Sequence, residues 1–260
     1  MEVKQRKAIL RVVFDILSIA CVAIPVLILF AVAKGYERGF YCDDESLMHP
    51  YKSNTIPTWV AGFVGIALPS LSILSLEGFK AYRAEKKLFT YFAICYKLLV
   101  PFFLGLAYTA TTKYSKSTGY FHGFLSGDVC TGTDKAAIAE ARLSFPSGHT
   151  SVAFYCMIWL IVYLQFKFTW RRYWLIRPVL QAVAFFLAYY TGLSRISDYM
   201  HHWSDVLAGA IIGTVVAILD VFFMSDILAW RKRKCQDCSN SLPLYHRDGV
   251  NNGTCSTIET

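Results

Sequence analysis

The sequence predicts an all-α, polytopic membrane protein with six transmembrane helices and both termini in the cytosol. Three observations carry that prediction. The first is composition: 260 residues that are 55% hydrophobic and 17% charged, with a mean hydropathy of +0.40, are too apolar for a water-soluble domain. The second is that the apolar residues gather into six runs, each close to the roughly 20 residues a helix needs to cross a bilayer. The third is an asymmetry of Lys and Arg between alternate loops, seventeen against eight, which orients the chain by the positive-inside rule. Six spans use about 120 residues and leave no room for a separate soluble domain. The net charge of +8 sits in small clusters beside the apolar runs and builds no continuous stripe. The expected partner is therefore the anionic surface of a lipid bilayer, not nucleic acid.

Taken in order, run 12–32 follows Lys4, Arg6, Lys7 and Arg11. It is longer than the roughly 7–15 residues of a signal-peptide core, so it reads as a retained helix. Run 59–76 returns the chain to the basic cluster Lys80, Arg83, Lys86 and Lys87. Runs 88–110 and 149–166 lead out and back to Lys167, Arg171 and Arg172, and runs 173–193 and 206–224 lead out and back to Arg231, Lys232, Arg233 and Lys234. Loops 33–58, 111–148 and 194–205 should then face outside or the lumen. Gly209 and Gly213 form a small-xxx-small pair suited to helix packing. Asp15, Lys97, Arg177 and Asp220 lie within runs but toward their cytosolic ends, where they are expected to snorkel or pair. Residues 1–230 are expected to form the membrane domain and 231–260 a disordered, polar cytosolic tail. The protein should reside in the plasma membrane or an endomembrane.

Of eight cysteines, only Cys42 and Cys130 fall in outward loops, where an oxidising compartment would allow a disulfide. Cys235 and Cys238 form a lone CxxC behind the last basic cluster, better suited to free thiols or palmitoylation than to zinc. The sequon Asn252-Gly253-Thr254 lies in the tail, away from the glycosylation machinery.

Three segments could carry chemistry, and the predicted topology gathers all of them on the outward face. Lys113 stands where the third span leaves the membrane, "FPSGH" (145–149) opens the fourth, and "SRISDYMHHWSD" (194–205) joins the fifth to the sixth. Lys113 and Arg195 supply fixed positive charge, and Ser147 is expected to cap the fourth helix, whose first N–H groups would then face an anion. His201 and Asp205 are spaced i, i+4, so on a helix the carboxylate could hold one imidazole nitrogen and leave the other nucleophilic. His149 remains as a general acid titrating near neutrality. Two histidines and an aspartate, with His202, could instead hold zinc, but Lys113 and Arg195 would repel a divalent ion. Asp198, Tyr199 and Trp203 read as loop packing and interfacial anchoring.

These residues resemble the signature of the phosphatidic acid phosphatase type 2 superfamily, integral-membrane lipid phosphate phosphatases with the motifs K-x6-R-P, P-S-G-H and S-R-x5-H-x3-D. The second matches at 146–149 and the third at Ser194, Arg195, His201 and Asp205. "GFYCDDES" and "HHWSDVLAG" also resemble the eukaryotic lipid-specific branch, and the resemblance spans roughly residues 8 to 230. It implies hydrolysis of lipid phosphate monoesters without metal or cofactor, through a phosphohistidine on His201 oriented by Asp205. His149 would be the acid, and Lys113, Ser147, Gly148, Ser194 and Arg195 the phosphate ligands. The implied substrates are membrane lipid phosphates: phosphatidate, lysophosphatidate, sphingosine phosphate or ceramide phosphate.

The first motif departs from the pattern. Counting from Lys113 in "KYSKSTGYFHG", the Arg-Pro pair falls on Tyr120-Phe121. A guanidinium clamp on a transferring phosphoryl group contributes about 3–4 kcal/mol, a factor of roughly 10² to 10³ in rate. Lys116 and His122 lack its bidentate fork. The sequence therefore allows either a phosphatase of reduced activity or a pseudophosphatase that binds or presents lipid phosphates. The in-span charges alone would suggest a transporter, and homo-oligomerisation is left open.

Overall fold

The computed structural model describes residues 52–85, 88–112, 145–168 and 174–224, together with Val13, Leu17, Ala20, Ile24 and Ile28. All regular structure among the described residues is helical. Five long helices follow in order: α1 (Thr58–Arg83), α2 (Leu88–Thr111), α3 (Gly148–Lys167), α4 (Ile176–Ser197) and α5 (Trp203–Leu219), the last continued by a π-helical turn, Asp220–Met224. All five are long and apolar enough to cross a membrane. The five described residues of run 12–32 are helical; the rest of that run, Asp15 included, and the 231–260 tail lie outside the described residues.

Helix boundaries follow local chemistry. Pro57 occupies the N-cap position of α1 in extended conformation, where its missing N–H is no loss. Lys80 and Arg83 fall in the last turn of α1, where cations meet the negative end of the helix dipole. Pro178 sits in the first turn of α4, a position that needs no intrahelical donor. α4 also runs on to Ser197, past the predicted end at 193, so Ser194 and Arg195 project from a helical turn and not from a loop.

α3 is the central helix, in contact with all four others. Its apolar window is 56% buried, against 22–33% for the rest. One side of it carries Ser147, Ser151, Tyr155, Trp159, Tyr163 and Lys167 at four-residue spacing, all buried. Opposite stands the buried stripe of α5: Asp205, Gly209, Gly213 and Ala217. The two glycines make the approach possible. A Cβ on Gly209 would lie 2.7 Å from the carbonyl oxygen of Ser147, and one on Gly213 would collide with that of Ser151. The small-xxx-small expectation is thus met, with α3 as its partner.

Buried polar groups along α3 are paired inside the bundle. Trp159 donates Nε1–H to Asp220 Oδ2 at 2.7 Å, and the Tyr155 hydroxyl donates to the Phe102 carbonyl at 2.8 Å. Asp220 therefore does not snorkel; it is buried and held from within. Nearer the other end, Glu77 lies 3.6 Å from both Lys80 and Lys167, with Glu77 and Lys167 both buried. The hydropathy pattern missed Glu77, placing it in a loop just beyond residue 76, whereas α1 carries it inward. Lipid-sized apolar side chains cover the exterior: Val179, Val183, Phe186 and Leu193 on α4 and Ile211 and Val215 on α5 are exposed. Such a surface belongs in hydrocarbon. The chain is an integral, multi-pass membrane protein.

Candidate active site

One end of the bundle gathers the starts of α1, α3 and α5 and the end of α4. Two backbone contacts fasten it. Ser147 donates its N–H to the carbonyl of Asp205 at 3.1 Å, and His201 donates its N–H to the carbonyl of Arg195 at 3.3 Å. The "FPSGH" segment, the last turn of α4 and the first turn of α5 are therefore one assembly.

Ser147 departs from expectation in detail. It is the N-cap residue of α3, but its side chain makes no capping bond; the hydroxyl shares a 3.0 Å hydrogen bond with Thr150 Oγ1 instead. Its carbonyl accepts from Ser151 N at 3.0 Å, so the backbone enters the helix correctly while the first turn receives no side-chain cap. Gly148 is the first helical residue. His149 follows with its Nε2 3.1 Å from the hydroxyl of Thr58, a partner on α1 that no motif indicated.

The His201–Asp205 pair is present but is not built on a helix face. α5 begins at Trp203, so His201 stands in the turn before the helix and Asp205 in its first turn. The His201 Nδ1 to Asp205 Oδ2 distance is 3.7 Å, and both side chains are largely buried. Asp205 also accepts from His202 N at 3.3 Å and from the Ser204 hydroxyl at 3.3 Å. It is thus the third helical residue folding back on its own N-cap, which a capping carboxylate does. His202 serves as that N-cap. Tyr199 makes the sharp exit from α4 possible, with φ of +56°, a left-handed conformation usual just beyond a helix end but uncommon for a bulky residue.

Arg195 is buried at the end of α4. Its Nη2 donates to Asp198 Oδ2 at 2.9 Å, its Nη1 to Asn54 Oδ1 at 2.9 Å and its Nε to the Ser194 hydroxyl at 3.3 Å. Ser194 in turn donates to the Thr191 carbonyl at 2.8 Å. Asp198 is held from a second side, by the backbone N–H of Thr55 at 2.7 Å and its hydroxyl at 2.6 Å, with Lys52 Nζ 3.6 Å away. Burial would push the Asp198 carboxyl up, but the two Thr55 bonds, Arg195 and Lys52 outweigh it and hold the group below its ordinary value. Asp198 packs as the sequence suggested, yet its role as the Arg195 partner was not legible. Asn54, Thr55 and Thr58 were missed altogether, since nothing in their spacing marks them. Lys113, Tyr120, Phe121, Cys42 and Cys130 lie outside the described residues.

Residues 87–228 match the family model described as the PAP2 superfamily. This chain belongs to the PAP2 superfamily. As a PAP2 member it is 34% identical to phospholipid phosphatase 2 of Rattus norvegicus, over 88% of this chain and 91% of the relative. It is 36% identical to phospholipid phosphatase 1 of the same species, over 83% and 85%, and 34% identical to phospholipid phosphatase 2 of Homo sapiens, over 92% and 90%. No solved structure matches. The matched span contains α2 to α5 and therefore both intact motifs, whereas Asn54, Thr55 and Thr58 lie before it.

Proposed function

We propose that this PAP2 protein hydrolyses lipid phosphate monoesters such as phosphatidate, lysophosphatidate, sphingosine phosphate and ceramide phosphate, at the extracytosolic face of its membrane. The observation that carries the reading is the gathering of His149, Arg195, His201 and Asp205 at one end of a membrane-embedded bundle, in a chain whose relatives are named phospholipid phosphatases. In this reading His201 attacks phosphorus through Nε2, and the P–O bond to the lipid breaks. The departing alkoxide takes a proton from His149, giving lipid alcohol and phosphohistidine. Asp205, near Nδ1, stabilises the positive charge that develops on the ring. Water then attacks phosphorus, His149 accepts its proton, and inorganic phosphate leaves. Arg195 and Lys113 neutralise the equatorial oxygens, and the uncapped first turn of α3 turns its positive end toward them.

A second reading, a pseudophosphatase that binds or presents lipid phosphates, is favoured by Tyr120-Phe121 standing where the family has Arg-Pro. Phosphate release by the purified protein from a panel of lipid phosphates, with and without chelator, separates the two. Turnover that survives chelation and vanishes in His201→Ala supports hydrolysis. Binding without release supports the second reading, and chelator-sensitive turnover overturns the metal-independent mechanism.

A further inference from the structure

The 52–55 segment ahead of α1 reaches across to the end of α4, about 140 residues away in sequence. It makes five contacts there. Lys52 Nζ donates to the Ser197 carbonyl at 3.0 Å and lies 3.6 Å from Asp198 Oδ1. Thr55 gives Asp198 two short hydrogen bonds, and Asn54 accepts one from Arg195. We propose that this segment is a working part of the phosphate site: it locks Asp198, which positions Arg195, and it lends Asn54 to Arg195 as the partner a phosphoryl oxygen displaces. The inference rests on the reading of Arg195 as a phosphate ligand.

Asp198 and Asn54, which hold the two terminal nitrogens of the guanidinium, differ in the ways such a division of labour requires. Asp198 is charged, its side chain is 0% exposed, and both carboxylate oxygens are engaged. Moving it would strand a buried charge. Asn54 is neutral and exposed, and gives one amide oxygen to Nη1. Arg195 is itself only 1% exposed, so a phosphate reaches it only when something covering it yields. An anionic phosphoryl oxygen adds full charge–charge attraction and can take both prongs of the guanidinium fork, which the single neutral amide oxygen of Asn54 does not. Exchange of Asn54 for phosphate is therefore favourable, whereas exchange of Asp198 is not. The fixed side also keeps the planar fork in one orientation, so its alignment need not be recovered when substrate binds.

The test uses the full chain in detergent micelles, with a short-chain phosphatidate as substrate and inorganic phosphate as the binding probe, read both as an inhibitor and by thermal shift. Asn54→Ala should tighten inorganic phosphate several-fold and change KM more than kcat. Asp198→Asn and Thr55→Val should lower kcat by about tenfold to a hundredfold, the scale of a hydrogen bond to a charged group. Thr55→Ser, which keeps both donors, should restore it. The Thr55 pair decides the matter if Asp198→Asn fails to fold. If Asn54→Ala weakens phosphate, or if Thr55→Val and Thr55→Ser behave alike, the proposal is overturned while the function stands. If the unaltered protein neither releases nor binds phosphate, the functional reading falls first, and this proposal with it.

Discussion

The backbone N–H of Ser147 donates to the carbonyl oxygen of Asp205 at 3.1 Å, joining the first turn of α3 to the first turn of α5. Through this one bond the segment carrying His149 and the segment carrying His201 share a frame. Beneath it, Gly209 and Gly213 let the two helices approach so closely that backbone meets backbone.

That approach predicts a graded response to small side chains. Gly213→Ala sets a methyl group against the Ser151 carbonyl, and Gly209→Ala sets one 2.7 Å from that of Ser147. Neither obstacle is the free end of a flexible side chain. Each variant should lose about 1–3 kcal/mol of stability, seen as earlier thermal unfolding in detergent. Gly209→Ala, directly under Ser147, should lose more phosphate release per folded molecule than Gly213→Ala. Equal specific activity in the two would show that the α3–α5 seam does not register the site.

The interior ion group at the far end of α1 and α3 makes a second prediction. Glu77→Gln leaves Lys167, buried beside it, without its carboxylate, and should destabilise by about 3–5 kcal/mol. Adding Lys167→Met should recover much of that loss, because a buried pair replaced whole by neutral groups is often tolerated. Thermal unfolding of both single variants and the double variant measures the coupling. Additive losses would mean that the two side chains do not stabilise one another.

Asp198 supplies a pH dependence of definite sign. Its carboxyl is held below the ordinary aspartate value of 3.8, so its contribution is fully present above about that pH. It is lost as pH falls below 3.8 and through the depressed folded value, when proton uptake favours the unfolded chain. Stability scans from pH 6 downward, a range of about two to three units around that value, should show an acid-side decline that Asp198→Asn makes shallower. An unchanged slope in the variant would assign the decline to other carboxylates.

Replacing Tyr120-Phe121 with Arg-Pro should raise turnover. The new guanidinium would stand seven residues after Lys113, where the family places its second arginine, with Pro stiffening the chain behind it. If the clamp acts on charge that develops in the transition state, both kcat and kcat/KM should rise, by up to roughly 10² to 10³. A change in KM alone would mean equal binding of ground and transition states. No gain in either constant would mean that this loop does not approach the phosphate.

The sequence by itself determined that the chain lives in a bilayer, where the spans from 58 onward lie and which residues compose the two intact motifs. These are local matters: a run of about 20 apolar residues must be helical in hydrocarbon because no water is there to satisfy its backbone. The Gly209 and Gly213 spacing likewise announced a close helix contact. What it could not determine was the partner of each polar group. Arg195 finds Asn54 at a separation of 141 residues, and Asp198 finds Thr55 at 143. Asp220 turns inward to Trp159, and the Ser147 hydroxyl pairs with that of Thr150 and not with the helix end. His201 and Asp205 meet across a turn and a helix start, although their spacing suggested a single helix face. Periodicity reports which face of a helix is apolar, but only packing brings one helix end against another. The charges and hydroxyls at those ends then take whichever donors and acceptors the close-packed bundle leaves within about 3 Å.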